Sequence, residues 1–338
     1  MASTNQNQKY DVFGVGNAIV DTLAFTEDAF LEKHQIAKGV MTLVEGDGQG
    51  KLLNDLQNQS LELRSGGSAA NSMYNIALSG GKALYTGKVA DDPNGEFYRR
   101  DLEKAGIGFH VKALSENEGP TGTCVVMTTP DSQRTMCTHL GVSTRLSAAD
   151  IDEDLLKESK IVYVEGYLWT GDSTRAASIA AMEAAKKHGA KVAFTFSDPF
   201  LVNGFKDDFT KLVKDYCDIV FCNKDEAQHF TGWQDMDAVV KEIANLCELV
   251  FVTSSEEGAY VCEHKGADVH REPGFPVNAV DTNGAGDAFA GGALYGLSQG
   301  WDNAKCARWG NYLGSQIVQI HGARLQNSYE SHIANIVG

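Results

Sequence analysis

Short runs rich in β-branched and aromatic residues alternate with helix-like stretches along most of this chain. That alternation limits the fold more than any other feature. Runs at 10–15, 83–89, 161–165, 191–196, 218–222 and 249–253 read as strands. Between them lie amphipathic segments: 173–188 is rich in alanine and closed by Gly189, and 237–246 repeats the pattern. Strand, helix and strand in repeated succession predict a doubly wound, mainly parallel sheet with helices on both faces. Two regions, around 17–46 and 108–141, break the rhythm with glycine-punctuated, alternating runs, among them 122–129 and 135–140. They predict extra antiparallel strands outside the main sheet. The expected organisation is a large α/β unit of residues 1–16, 47–107 and 142–338, with a small discontinuous β lid of 17–46 and 108–141. A chain of 338 residues accommodates this, at roughly 150 residues per domain.

Charge decides which partners such a fold can take. The formal net charge is −16, so the surface repels nucleic acid and anionic membrane. An anionic ligand must then be held by a local positive potential. The hydrophobic fraction of 43% and charged fraction of 22% are those of an ordinary soluble globular protein. The seven cysteines are odd in number, include no CxxC pair and lie partly in apolar runs, which reads as buried reduced thiols. The polar start MASTNQNQKY has no apolar signal segment, and no run is long enough to cross a bilayer. The expected location is the cytoplasm.

The segment DTNGAGDAFAGG at 281–292, followed by an apolar helical run, supplies the device an acidic protein needs. Glycines that open a helix leave several N–H groups unpaired, and the helix dipole adds positive character there. Asp287 stands among those donors. Acidic residues are common in first helical turns, so a capping role is the plain alternative. A carboxylate beside an anion cradle suits one chemistry well, the removal of a proton from a hydroxyl that attacks a phosphoryl group. The segment is not a Walker A loop, because no Gly-Lys-Ser/Thr follows the glycines. Gly14-Val15-Gly16 follows a strand but lacks the third glycine of a dinucleotide fingerprint, which argues against an oxidoreductase.

The chain resembles the ribokinase-like PfkB family of carbohydrate and nucleoside kinases. Two well-separated signatures carry the resemblance: DTNGAGDAFAGG, and SGGSAANSMYNIALSGGKALYTGKVADDPNGEFYRRDLEKAGI at 65–107. The resemblance implies ATP and a small molecule as substrates, with the large unit binding both. It implies Asp287 as catalytic base and Gly284, Ala285 and Gly286 as the anion hole. Asp21, Gly66, Gly67 and Asn71 would contact the substrate, with Glu165 as a further contact. Asn223 and Glu226, in the Asn-x-x-Glu arrangement, would serve phosphate and Mg²⁺, through water. Asn223, Thr253, Gly258 and Asn311 would line the ATP site. An activating monovalent cation such as K⁺ belongs to the same family picture, and both monomer and homodimer stay open. Many sugar kinases of the family carry Lys after the paired glycines, where this chain has Ser68. The turn DSQRT resembles one that carries a phosphate-directed arginine in adenosine-kinase-like members, so Arg134 would restore positive charge. GGSAANS, VEGYLW and QRTM together look like that branch. The implied reaction is phosphorylation of the 5′-hydroxyl of adenosine or a related purine nucleoside, with Trp169, Phe194 and Phe196 as candidates to stack on the purine or simply to fill the core. A sugar kinase and a non-catalytic ligand sensor are the alternatives; the retained Asp287, Gly284, Gly286, Asn223 and Glu226 argue against the sensor.

Overall fold

The computed structural model describes residues 8–59, 61–131 and 133–338. The first seven residues of the large unit and Ser132 of the arginine-bearing turn therefore lie outside the described residues. The strands are β1 (Tyr10–Val15), β2 (Ile19–Phe25), β3 (Met41–Leu43), β4 (Glu62–Gly66), β5 (Ala83–Thr86), β6 (Gly108–Phe109), β7 (Gly122–Thr128), β8 (Arg134–His139), β9 (Ser159–Glu165), β10 (Lys191–Thr195), β11 (Ile219–Asn223), β12 (Leu249–Thr253), β13 (Ala259–Cys262) and β14 (His270–Glu272). Nine form one sheet in the order β14-β13-β12-β11-β10-β9-β1-β5-β6. From β6 to β12 every pairing is parallel, and β13 and β14 add an antiparallel edge. The six strand runs expected from the sequence all fall in this sheet.

The strands are apolar on both sides because helices cover both faces. In β9, Val162 and Val164 enter one core while Ile161 and Tyr163 enter the other. Helices Asp172–His188, Pro199–Tyr216 and Met236–Ala244 pack on the first face. Helices Ser68–Leu78, Pro93–Lys104, Ala285–Ser298 and Asn303–Ile317 pack on the second. One glycine sets a spacing that matters later. A Cβ at Gly291 would meet Ser72 O at 2.5 Å, so only glycine lets helix Ala285–Ser298 lie this close to helix Ser68–Leu78.

The smaller sheet has the order β3-β8-β7-β2-β4. Ala24, Val125, Met127 and Cys137 on one face pack beneath Leu31, Leu52 and Leu56 from two short helices. Ile19, Cys124 and Val126 lie on the other face. The composition of this unit differs from the expected 17–46 and 108–141 in three places, the first being helix Gly46–Leu56, whose Leu52 and Leu56 cover the sheet. β4 belongs to it, paired with β2; in β4 only Ser65 and Gly66 are buried, so its sequence lacks the apolar alternation that marks a strand. β6 instead joins the large sheet beside β5, where Phe109 is buried against Tyr85 and Tyr98. The pairing also differs from the antiparallel expectation: β2–β4 and β7–β8 are antiparallel, but β2–β7 and β3–β8 are parallel.

Chain direction in the large sheet runs outward in opposite senses from β1 and β9. That switch point opens a crevice beyond the strand C-termini, the usual ligand position in an open α/β sheet.

Candidate active site

A cavity of about 890 Å³ occupies this crevice, between the strand C-termini and the smaller sheet. Asn17 after β1, Glu165 at the end of β9, Thr195, Asn223 and Thr253 all reach it. Asp21, Gly67, Asn71, Arg134, Gly284, Ala285, Gly286, Asp287 and Glu226 line it as well. Gly66 stands beside Asp21, because a Cβ there would lie 2.4 Å from Asp21 Oδ2. Residues expected from 266 positions of chain, from Asp21 to Asp287, thus share one space.

The glycine-rich segment opens a helix. Gly284 adopts φ 75°, and helix Ala285–Ser298 starts after it with no side-chain cap. Ala285 N donates to Thr282 O at 3.3 Å, and the N–H groups of Gly286 and Asp287 have no partner among the described residues and are left for a ligand. Nothing stands within 4 Å of the position a Gly286 Cβ would take, so this approach is open. Asp287 lies in that first turn and is held from two sides. Ser68 Oγ donates to Asp287 Oδ1 at 2.6 Å, and Asn71 Nδ2 donates to Oδ2 at 2.9 Å. Burial pushes the Asp287 carboxyl up to about 6, against the pull of Ser68, Asn71 and Arg324. The serine in place of the family's lysine is therefore a direct partner of the proposed base.

Asp21 has no protein hydrogen-bond partner for its carboxylate among the described residues. Burial raises it to about 7, opposed by the charges of Arg324 and Arg134. Glu165 differs. Its Oε1 accepts from Asn17 N at 2.8 Å and Asn17 Nδ2 at 2.9 Å, and its Oε2 accepts from Ala69 N at 2.8 Å. Most of its acceptor capacity is used in joining β1, β9 and the start of helix Ser68–Leu78, so it braces the crevice. Burial nonetheless pushes Glu165 up to about 7.

Asn223 and Glu226 form a reciprocal capping box: Glu226 N donates to Asn223 Oδ1 at 2.8 Å and Asn223 N donates to Glu226 Oε2 at 3.0 Å, with Asn223 Nδ2 also donating to Glu226 Oε1 at 2.7 Å. Burial pushes Glu226 up to about 8, helped by the nearby charges of Asp198, Asp225 and Asp287. Asp198 also lines the cavity. No group of three or more His, Cys, Asp or Glu able to hold a bare metal ion occurs among the described residues. A few hard oxygens close to the cradle fit Mg²⁺ carried by a nucleotide, which keeps waters and takes few protein ligands.

Some expected contacts have further partners or lie outside this cavity. Arg134 pairs with Asp281, whose carboxylate also accepts from Gly322 N and Asn283 N. Its Nε and Nη1 have no partner among the described residues, and burial lowers its pKa to about 10. Gly258 and Asn311 do not reach the cavity; Asn311 Nδ2 donates to Glu272 O at 3.0 Å and Pro273 O at 3.1 Å, and so fixes a neighbouring loop. Trp169, Phe194 and Phe196 are core residues, with Trp169–Phe194 and Phe194–Phe196 packed edge to face and Phe196 stacked on Phe209, and cannot stack on a ligand in this cavity. The aromatic residues that do face it are Tyr163, Tyr167, Phe200, Phe221 and Phe289. Asn17 and Asp198 line the cavity, and Asp281 and Arg324 pair with the cavity-lining Arg134 and Asn71; the sequence marks none of them with a role of its own, although Asp281 opens the glycine-rich segment.

Comparison with known proteins agrees with this geometry. Residues 46–329 match the family model described as pfkB family carbohydrate kinase. The chain is similar to the crystal structure of adenosine kinase from Sinorhizobium meliloti, at 36% identity and a TM-score of 0.89 over 97% of this chain and 99% of that one. It is similar to a probable sugar kinase protein from Rhizobium etli, at 33% identity and a TM-score of 0.89 over 97% and 98%. Adenosine kinase of Saccharomyces cerevisiae is 28% identical over 91% of this chain and 94% of its own length. With its crevice, glycine cradle and half-buried aspartate, the chain belongs to the pfkB carbohydrate kinase family and is an ATP-dependent kinase.

Proposed function

We propose that the chain transfers the γ-phosphoryl group of ATP to the 5′-hydroxyl of a purine nucleoside, adenosine or a close relative. The observation that supports this reading is the two-sided character of the cavity. Asp21, Asn71 and Asp287 make one end polar, suited to the hydroxyls of a ribose. Ile19, Cys124, Val126, Met136 and Leu140 of the smaller sheet make an apolar wall facing the same space. A purine face covered by that wall gains about 25 cal/mol per Å² of apolar area, which a free sugar lacks. In this reading the smaller sheet is the lid and takes the role first assigned to the core aromatics. Asp287 takes the proton of the attacking hydroxyl, and the N–H groups from Gly284 to Gly286 receive the phosphoryl charge. The similarity to adenosine kinases adds weight, and the protein is read as cytoplasmic, monomeric or homodimeric. No helix among the described residues is long and apolar enough to cross a membrane.

The test is an ATP-consumption screen over nucleosides and sugars. Adenosine or another purine nucleoside should give a higher kcat/KM than ribose or fructose. A sugar that clearly exceeds every purine nucleoside would leave the kinase in place and transfer the acceptor to the alternative, for which the similarity to a probable sugar kinase speaks.

When bound with ATP, Mg²⁺ supplies neutralising charge between the β- and γ-phosphates. Asn223 and Glu226 are the residues that would hold it, through water. Asn223→Ala and Glu226→Ala should each raise the Mg²⁺ concentration needed for half-maximal rate. An unchanged requirement in both variants returns the pair to a helix-capping role alone.

A further inference from the structure

Arg324 is the least exposed arginine near the site, at 3%, and no motif contains it. It arrives from a C-terminal loop whose Gly322 N donates to Asp281, the first residue of the glycine-rich segment, at 2.8 Å. Its guanidinium donates from Nε to Asn71 Oδ1 at 2.9 Å. It is anchored behind by Asp101 Oδ2 at 3.1 Å, by Ser65 Oγ and by the ring of Tyr74, whose centroid is 3.9 Å away.

This chain of contacts has a direction. A guanidinium can only donate, so the atom of Asn71 that faces it is the oxygen. An ionised carboxylate can only accept, so the atom that faces Asp287 is the nitrogen. Without Arg324 the Asn71 amide would be held among the described residues from one side only, by the Asp287 carboxylate, and could swing out of the line that joins them. We propose that Arg324 is a positioning residue for phosphoryl transfer, which fixes the Asn71 amide so that it holds the Asp287 carboxylate in line with the anion cradle. The proposal rests on the reading of Asp287 as base.

Charge supports the same role. Around Asp287 stand the carboxylates of Asp21, Glu165 and Glu226 and the phenol of Tyr163. Arg324 is the cation that draws Asp287 down, and with Arg134 it does the same for Asp21. The loss of Arg324 therefore raises both carboxyls, and the acid limb of the rate profile moves to higher pH.

The test measures kcat and KM from pH 5 to 9 with adenosine and ATP for Arg324→Met, Asn71→Ala and the double variant. On the alkaline plateau Arg324→Met should lower kcat roughly 10- to 100-fold, the scale of a misplaced reacting group. KM for ATP should hold within about twofold, and the same substitution on Asn71→Ala should cost less than about threefold more, because coupled residues are not additive. Equal losses in both backgrounds, or a kcat loss with an unmoved acid limb, would make Arg324 structural and overturn the proposal. If Arg324→Met does not fold, Arg324→Lys decides. It keeps the charge and loses the fork, so it should lower kcat with the acid limb near that of the wild type; wild-type kcat in Arg324→Lys overturns the proposal. Asp287→Asn is measured beside them. If that variant is inactive while Arg324→Met is normal, only the positioning role fails; if Asp287→Asn is active, the base assignment itself fails.

Discussion

Asp287→Asn lowers turnover by roughly 10² or more, the usual contribution of a general base, while the fold and ATP binding persist. The expectation follows from how the carboxylate is held. It sits in the first turn of helix Ala285–Ser298, its two oxygens accept from Ser68 and Asn71, and the open face of the cradle begins one residue earlier. An amide keeps the shape and one acceptor but cannot take a proton. The pH dependence has a definite sign. Burial raises the carboxyl to about 6, and only the ionised form is a base, so the rate of the wild type should fall as pH drops through about 6. Asp287→Asn should lose that part of the acid limb. Equilibrium binding of ATP, measured by calorimetry, should change little. Near-normal turnover of the variant would remove Asp287 from the chemistry.

Asp21→Ala should lower kcat/KM for adenosine by roughly 10², because hydroxyl-directed hydrogen bonds keep the nucleophile in line. A half-buried carboxylate without a protein partner is costly to the folded state unless a ligand satisfies it. The alanine variant should therefore melt at the wild-type temperature or above. That combination, lost activity with retained stability, separates a ligand-binding aspartate from a structural one. The temperature rise given by saturating adenosine should also shrink. A variant that melts early and binds adenosine normally contradicts this role.

Much of this was legible in the sequence because local pattern and chemistry coincide there. A strand buried on both faces must be apolar along its length, so β1, β9, β10, β11 and β12 announced themselves. Gly284 of DTNGAGD takes a positive φ at the helix start, and so the turn that opens the helix was visible too. Other features lacked a local mark. β4 is mostly polar, and β6 is two residues long. Trp169, Phe194 and Phe196 look the same whether they cover a purine or fill a core, because burial asks for the same side chains in both. Ser68 was read only as a missing lysine, since the hydroxyl bond to Asp287 spans 219 residues. Arg324 lies 253 residues from the asparagine it orients. Such a contact exists only once the fold has brought both ends to the crevice.

The most direct measurement is identification of the product. The purified protein is incubated with ATP, Mg²⁺ and adenosine, and the mixture is resolved by mass spectrometry and ³¹P NMR, with Asp287→Asn as control. The account predicts ADP and adenosine 5′-phosphate in equal amounts from the wild type, with formation of both at least about 10²-fold slower in the variant. ADP formed without any phosphorylated nucleoside, or the same product at the same rate from Asp287→Asn, would contradict it.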